Sequence, residues 1–311
     1  MARKQSSSIQ APNTVVMVRP HHFTVNTQTA VDNSFQIEAS LNTDLASKAF
    51  NEITKASDCL REKGIRVHLY EDTGDKTPDS VFPNNWFSTH AGGSIAIYPM
   101  KAQNRRLERR YDIIEDLKTN YRVQEVIDYS GLEPDGLFLE GTGAMVLDHI
   151  DRVAYAVQSD RTNPIALERF CTQFNYEPMT FNAVDKYNTP IYHTNVLMCI
   201  ATEFVLIGLE MISDKARANE INLRFEQSGR KIIALTPDQI HQFAGNAIEL
   251  TGTDGRYLAL SKTAYDSLTD EQITTIEESA TPLVLEIPTV ERAGGSVRCT
   301  IAGIHLSSRQ K

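Results

Sequence analysis

The chain repeats one module. A short apolar run is followed by a polar amphipathic stretch and then by another apolar run, with a period of roughly 50–60 residues. The amphipathic stretches predict helices at roughly 41–63, 104–121, 164–175, 214–229 and 263–279, because their apolar side chains recur at i, i+3, i+4 spacing. Gly64 and Gly229 stand where helix C-terminal glycines are expected. The apolar runs predict strands at "TVVMV", "IRVHLYE", "SIAIYP", "GAMVLD", "RVAYAV", "NVLMCI", "EFVLIGL", "KIIAL", "NAIELTG", "YLALS" and "PLVLEI". About five helices interleave with about twice as many strands, so the expected class is α/β built from repeated units. The alternative is one doubly wound sheet. No GxGxxG follows the first strand and no GxxxxGK[ST] occurs, which leaves a dinucleotide or P-loop reading without support.

Four stretches interrupt the apolar pattern: "PDSVFPNNWFSTH" (78–90), "LFLEGTGAMVLD" (137–148), "PIYHTNVLMCI" (190–200) and "GGSVRCTIAG" (294–303). Each sets an acid, amide, imidazole or thiol beside glycine or proline within otherwise buried sequence. The candidates are Asp79, Asn84, Asn85, Glu140, His193, Asn195 and Cys299. Alone, Cys299 reads as a buried inert thiol and His193 as a satisfied core histidine. Glu140 is harder to reconcile with a plain core, because a carboxylate between "FL" and "GTG" is costly to bury without a partner. His193 is a suitable partner, and an imidazole oriented by a carboxylate activates a nucleophilic thiol. Arg298 adjoins the thiol in sequence, but on a strand the two side chains would face opposite ways.

The net charge of −9 argues against a nucleic-acid surface. The polar start, "MARKQSSSIQAPNT", lacks the apolar run of a signal peptide, and nothing approaches the ~20 apolar residues of a membrane span. Cys59, Cys171, Cys199 and Cys299 form no CxxC pair, and the eight histidines include no HExxH, so neither a metal nor another cofactor is expected and a reduced, cytoplasmic setting is. The expected organisation is a single domain over 1–311, with its core at about 14–306 and a flexible N-terminus at 1–13.

Taken together these segments resemble the guanidine-modifying, or pentein, superfamily: arginine deiminase, dimethylarginine hydrolase, agmatine deiminase and the amidinotransferases. The resemblance spans roughly residues 14–306. It implies a five-fold pseudo-symmetric α/β propeller of ββαβ units around a central site. "LEGTG" resembles the acid segment and implies Glu140 as the catalytic carboxylate; "YHTN" implies His193 as general acid/base; "GGSVRC" implies Cys299 as nucleophile. "PDSVFPNN" resembles the dimethylarginine hydrolase segment in which Asp79 would hold the substrate α-amino group. "SDRTN" implies Arg161 as a clamp on the α-carboxylate, and "NRRLERR" resembles the second clamp segment and adds Arg105.

The sequence departs from arginine-processing relatives at three positions. Asn85 stands where a guanidinium-binding Asp is expected, and Asn195 matches the Asp of a His-x-Asp. Asn84 likewise falls where the family keeps an acid. A guanidinium is all donors and needs ionised acceptors, whereas a ureido group pairs one carbonyl with N–H donors and suits an amide. The expected activity is therefore hydrolysis of citrulline, as in citrulline ureidases. The alternatives are an arginine or methylarginine hydrolase or deiminase, an amidinotransferase, and a non-catalytic binding protein on the same propeller. The expected partner is a small amino-acid substrate, with no nucleic acid or membrane; a homo-oligomer stays open.

Overall fold

The computed structural model describes residues 9–30, 33–37 and 44–309. Fifteen strands form five separate three-stranded sheets. The first combines β1 (Thr14–Pro20) and β2 (Arg66–Asp72) with the last strand, β15 (Ala302–Gly303). The others are β3–β5 (Phe87–His90, Ser94–Ile97, Glu125–Asp128) and β6–β8 (Met145–Asp148, Val153–Val157, Glu177–Phe181). They are followed by β9–β11 (Met198–Ile200, Phe204–Ile207, Lys231–Ala234) and β12–β14 (Ile248–Thr251, Arg256–Ser261, Thr281–Leu285).

All five sheets share one pattern. The middle strand pairs antiparallel with one neighbour and parallel with the other. A parallel pair needs a crossover, and helices supply it: Leu45–Glu62, Tyr111–Asn120, Pro164–Phe174, Lys215–Gln227 and Asp270–Glu277. Each packs its apolar stripe on its own sheet. Ala49, Ile53 and Leu60 cluster with Val15 and Met17, and Leu167 and Phe170 cluster with Ala154 and Ala156. The antiparallel outer strands β3, β6, β9, β12 and β15 all line one common cavity, which places them innermost around a central axis. The molecule is thus a five-bladed α/β propeller, and β15 closes the ring by pairing Val15 with Gly303.

Two expected helices are broken. The one over 104–121 is a 3₁₀ turn, Asn104–Glu108, followed by a helix from Tyr111, because Arg109 is extended and binds Glu133. The one over 263–279 divides at Leu268–Thr269, where Thr269 and Gln272 form a capping box. The helix expected over 41–63 spans Leu45–Glu62, and residues 41–43 lie outside the described residues. Of the stretch expected to be flexible, residues 1–8 also lie outside them. Gln10 is buried and donates through Nε2 to Leu147 O and Ile200 O, both at 3.0 Å. Among the described residues no helix is long and apolar enough to cross a membrane.

Candidate active site

The interrupted stretches occupy equivalent places. Ahead of four innermost strands the chain makes one helical turn: Pro83–Asn85, Gly141–Ala144, Thr194–Leu197 and Val297–Thr300. Glu140 and His193 are the residues that open two of these turns, and Cys299 lies on the last. The sequence patterns "GAMVLD" and "NVLMCI" read as strands throughout, but their first residues are spent on these turns. Gly141 has φ +50°, and a Cβ there would lie 2.4 Å from Asn84 O. Gly143 is held to glycine by contact, since its Cβ would stand 2.1 Å from Asn85 Nδ2 and 2.8 Å from His193 Nδ1.

The turns converge on a cleft of about 240 Å³. It is lined by Asp79, Asn85, Arg105, Arg161, His193 and Cys299, so six of the nine expected residues meet in one place. Glu140 lies directly behind them, completely buried, with Oε2 3.0 Å from His193 Nε2 and 3.6 Å from both Arg105 Nη1 and Arg161 Nη1. Its Oε1 accepts from the backbone N–H of Lys101 at 3.0 Å. Burial opposes its charge, but Arg161, His193 and Arg105 together hold the carboxyl well below the usual range. An ionised carboxylate only accepts, so His193 Nε2 carries the proton and Nδ1 keeps its lone pair. Desolvation outweighs Glu140 and brings the His193 imidazole down to about 4, which leaves it neutral near pH 7.

Two expected substrate contacts differ in position. Asn195 does not line the cleft. It sits behind Cys299, where its Nδ2 donates to Sγ at 3.2 Å. The preceding residues start a helical turn at His193, and that turn directs Asn195 toward the sulfur. Asn84 is fully buried outside the cleft, and neither amide atom has a partner among the described residues. The 3₁₀ turn Pro83–Asn85 sends adjacent side chains in different directions, so only Asn85 reaches the cleft. Asn85 Nδ2 is buried without a partner among the described residues.

Some residues at the site are not among those the sequence singles out. Asn246 follows the fourth blade and donates to Cys299 Sγ at 3.3 Å and to Asn195 O at 2.9 Å. Glu108 holds Arg105 in a fork, with Nε–Oε1 at 3.0 Å and Nη2–Oε2 at 2.9 Å. Its spacing from Arg105 in "RRLE" was the available cue. Asp79 accepts from Asn26 Nδ2 at 2.8 Å and lies 3.6 Å from Arg105 Nε, and burial raises its carboxyl against the pull of Arg105. Asn33, on the segment between β1 and the first long helix, and Tyr192 complete the wall. Arg161 lies 4.9 Å from the Tyr192 ring centre.

The site therefore offers a buried thiol with two amide donors, a neutral imidazole braced by a carboxylate, and two arginines beside an acid. Its fold is shared with solved structures. The N-terminal domain of ArgZ, an arginine dihydrolase from Cyanobacteria bound to substrate, superposes with a TM-score of 0.73 at 17% identity, covering 94% of this chain and 99% of that one. AgrE in complex with ornithine and NAD+ gives 0.75 at 19% identity over 96% of this chain, which spans only 40% of AgrE. The Pseudomonas aeruginosa dimethylarginine dimethylaminohydrolase (DDAH) with citrulline gives 0.63 at 13% identity, covering 94% and 99%. Comparison with curated protein sequences found no match. The family described as N,N dimethylarginine dimethylhydrolase, eukaryotic, matches residues 19–306, nearly the whole chain. The chain belongs to that family, within the guanidine-modifying penteins.

Proposed function

We propose that the chain is a cysteine-dependent hydrolase of a ureido C–N bond, converting citrulline and water to ornithine, carbon dioxide and ammonia. The observation that carries this reading is the wall beside Cys299 and His193. There Asn85 presents an Nδ2 that has no partner among the described residues, while Glu140 is already engaged by His193 and two arginines. A buried amide lacking a partner is costly unless a ligand supplies one. A ureido carbonyl does so, whereas a guanidinium has no acceptor to offer.

In this mechanism Arg161 and Arg105 bind the α-carboxylate and Asp79 binds the α-amino group, fixing the reacting carbon near the sulfur. His193 Nδ1 takes the Cys299 proton. The thiolate, steadied by the Asn195 and Asn246 N–H groups, attacks the ureido carbon as the Asn85 amide donates to the developing oxyanion. The bond to the ornithine nitrogen breaks and His193 returns the proton to that nitrogen. Water then attacks the thiocarbamoyl carbon, His193 accepts its proton, and the thiolate leaves. The released carbamate decomposes to carbon dioxide and ammonia.

A second reading starts one step earlier, with arginine hydrolysed to citrulline and then to ornithine on the same thiol. The likeness to a structure described as an arginine dihydrolase favours it. Purified protein given citrulline, arginine or dimethylarginine separately, with ornithine, citrulline, ammonia and methylamines measured, distinguishes these. Citrulline giving ornithine supports the first reading. Arginine giving ornithine, with citrulline also consumed, supports the second. Arginine or dimethylarginine consumed while citrulline stays inert overturns both.

A further inference from the structure

The axis of the propeller holds a second cavity. It is lined by the five innermost strands, with Arg298, His149, His305, Cys199 and Glu249 among its polar wall. Arg298 and Cys299 are successive residues of one helical turn, yet Cys299 lines the reaction cleft and Arg298 lines this chamber. The two spaces are thus divided by the thickness of that turn.

Arg298 differs from the other enclosed arginines. Arg105 is paired with Glu108 at 2.9 Å, Arg161 lies 3.6 Å from Glu140, and Arg230 is paired with Asp148 at 2.8 Å. Arg298 donates from Nη1 to Ile301 O at 2.9 Å, and no carboxylate pairs with it among the described residues. The acid in the chamber wall, Glu249, accepts through Oε2 from Thr202 N at 2.8 Å and Thr202 Oγ1 at 2.6 Å, and its Oε1 lies 3.6 Å from Arg256 Nε. His149 and His305 are held neutral by burial, with His305 brought down to about 4. Arg298 is only half-buried, and it faces the chamber without a counter-charge; a guanidinium in that position favours a planar oxyanion, which it can take in a fork.

We infer that the axial chamber is a binding site for a small oxyanion of the carboxylate or bicarbonate class, held by Arg298. Pro12 and His305 line both this chamber and a surface groove that contains Ile9 and Leu306. The inference does not depend on which substrate the reaction cleft takes.

The test is thermal unfolding of the full chain with bicarbonate, formate, acetate or phosphate, against chloride at equal ionic strength. Binding to the folded state raises Tm by about 2–3 °C at ten times the dissociation constant. Arg161→Gln serves as the control for anions entering the reaction cleft. The expected result is a saturable rise in wild type and in Arg161→Gln that is absent in Arg298→Met. Should Arg298→Met fail to fold, Arg298→Lys retains the charge without the fork, and half-saturation moves to several-fold higher anion concentration. A rise that persists unchanged in the Arg298 variants, or no rise in wild type, overturns the inference and leaves the chamber holding solvent alone. Among the four probes, the one with the lowest half-saturation names the class of anion.

Discussion

Asn195 Nδ2 points at Cys299 Sγ across 3.2 Å, joining the second residue of one blade's turn to the thiol of another. An amide N–H facing a sulfur stabilises the anion more than the thiol, because hydrogen bonds to charged groups are the stronger ones. Asn195→Ala is expected to slow alkylation of Cys299 by chloroacetamidine about tenfold at pH 7, equivalent to roughly 1.4 kcal/mol. Peptide mapping of the modified thiol measures it. A rate equal to wild type removes Asn195 from the activation of Cys299.

Glu140→Gln keeps the shape but removes the charge shared by His193, Arg105 and Arg161. Two buried guanidinium groups then lose a counter-ion, which costs about 3–5 kcal/mol in comparable buried pairs. The amide also no longer compels the proton onto His193 Nε2. Turnover is expected to fall by at least about 10³-fold, together with a lower urea midpoint. Retained stability would mean that the arginines find other partners.

Gly143→Ala introduces a methyl group 2.1 Å from Asn85 Nδ2 and 2.8 Å from His193 Nδ1. Both side chains must move, and small displacements of reacting groups are expensive. A loss of about 10²-fold in kcat is expected, and a variant with wild-type kcat would show that these groups tolerate displacement.

Asn85→Asp restores a carboxylate at the position facing the reacting group. If the ureido reading holds, the ratio of citrulline to arginine turnover should fall by at least about tenfold, since an acceptor then opposes the ureido oxygen and suits a guanidinium. Parallel kcat/KM measurements decide it; an unchanged ratio places Asn85 outside the recognition of the reacting group.

His305 has a folded-state value brought down to about 4 from 6.5 by burial and by Arg298. The unfolded chain therefore binds more protons there between about pH 6.5 and 4, and stability contributed by neutral His305 is lost as pH falls through that window. His305→Gln should flatten the dependence of unfolding free energy on pH by up to about 1.4 kcal/mol per pH unit within it. Denaturant titrations at pH 7, 6 and 5 test this. Parallel curves would mean that His305 binds protons alike in the folded and unfolded protein.

The helices outside the sheets were legible because amphipathic periodicity survives wherever one face packs and the other is wet. β3, β5, β8 and β15 were not marked as strands. β8 carries Pro178, β3 lies within a polar run, and β15 has two residues, so none presents an apolar period long enough to read. Four residues of the polar interruptions, Asp79, Asn85, His193 and Cys299, line one cleft. Sequence alone misplaced the side chains of Asn84 and Asn195, because which way a residue faces depends on whether its turn is helical or extended. Asn246 escaped notice for a different reason: an asparagine ahead of an apolar strand looks like ordinary turn chemistry until the sulfur is placed beside it.

The pairing of β15 with β1 gives this protein a particular order of assembly. Cys299 is set in place by a turn that comes just before the closing strand, so β1 to β14 are all synthesised before the thiol acquires its surroundings. Chemistry here is withheld until β15 meets β1.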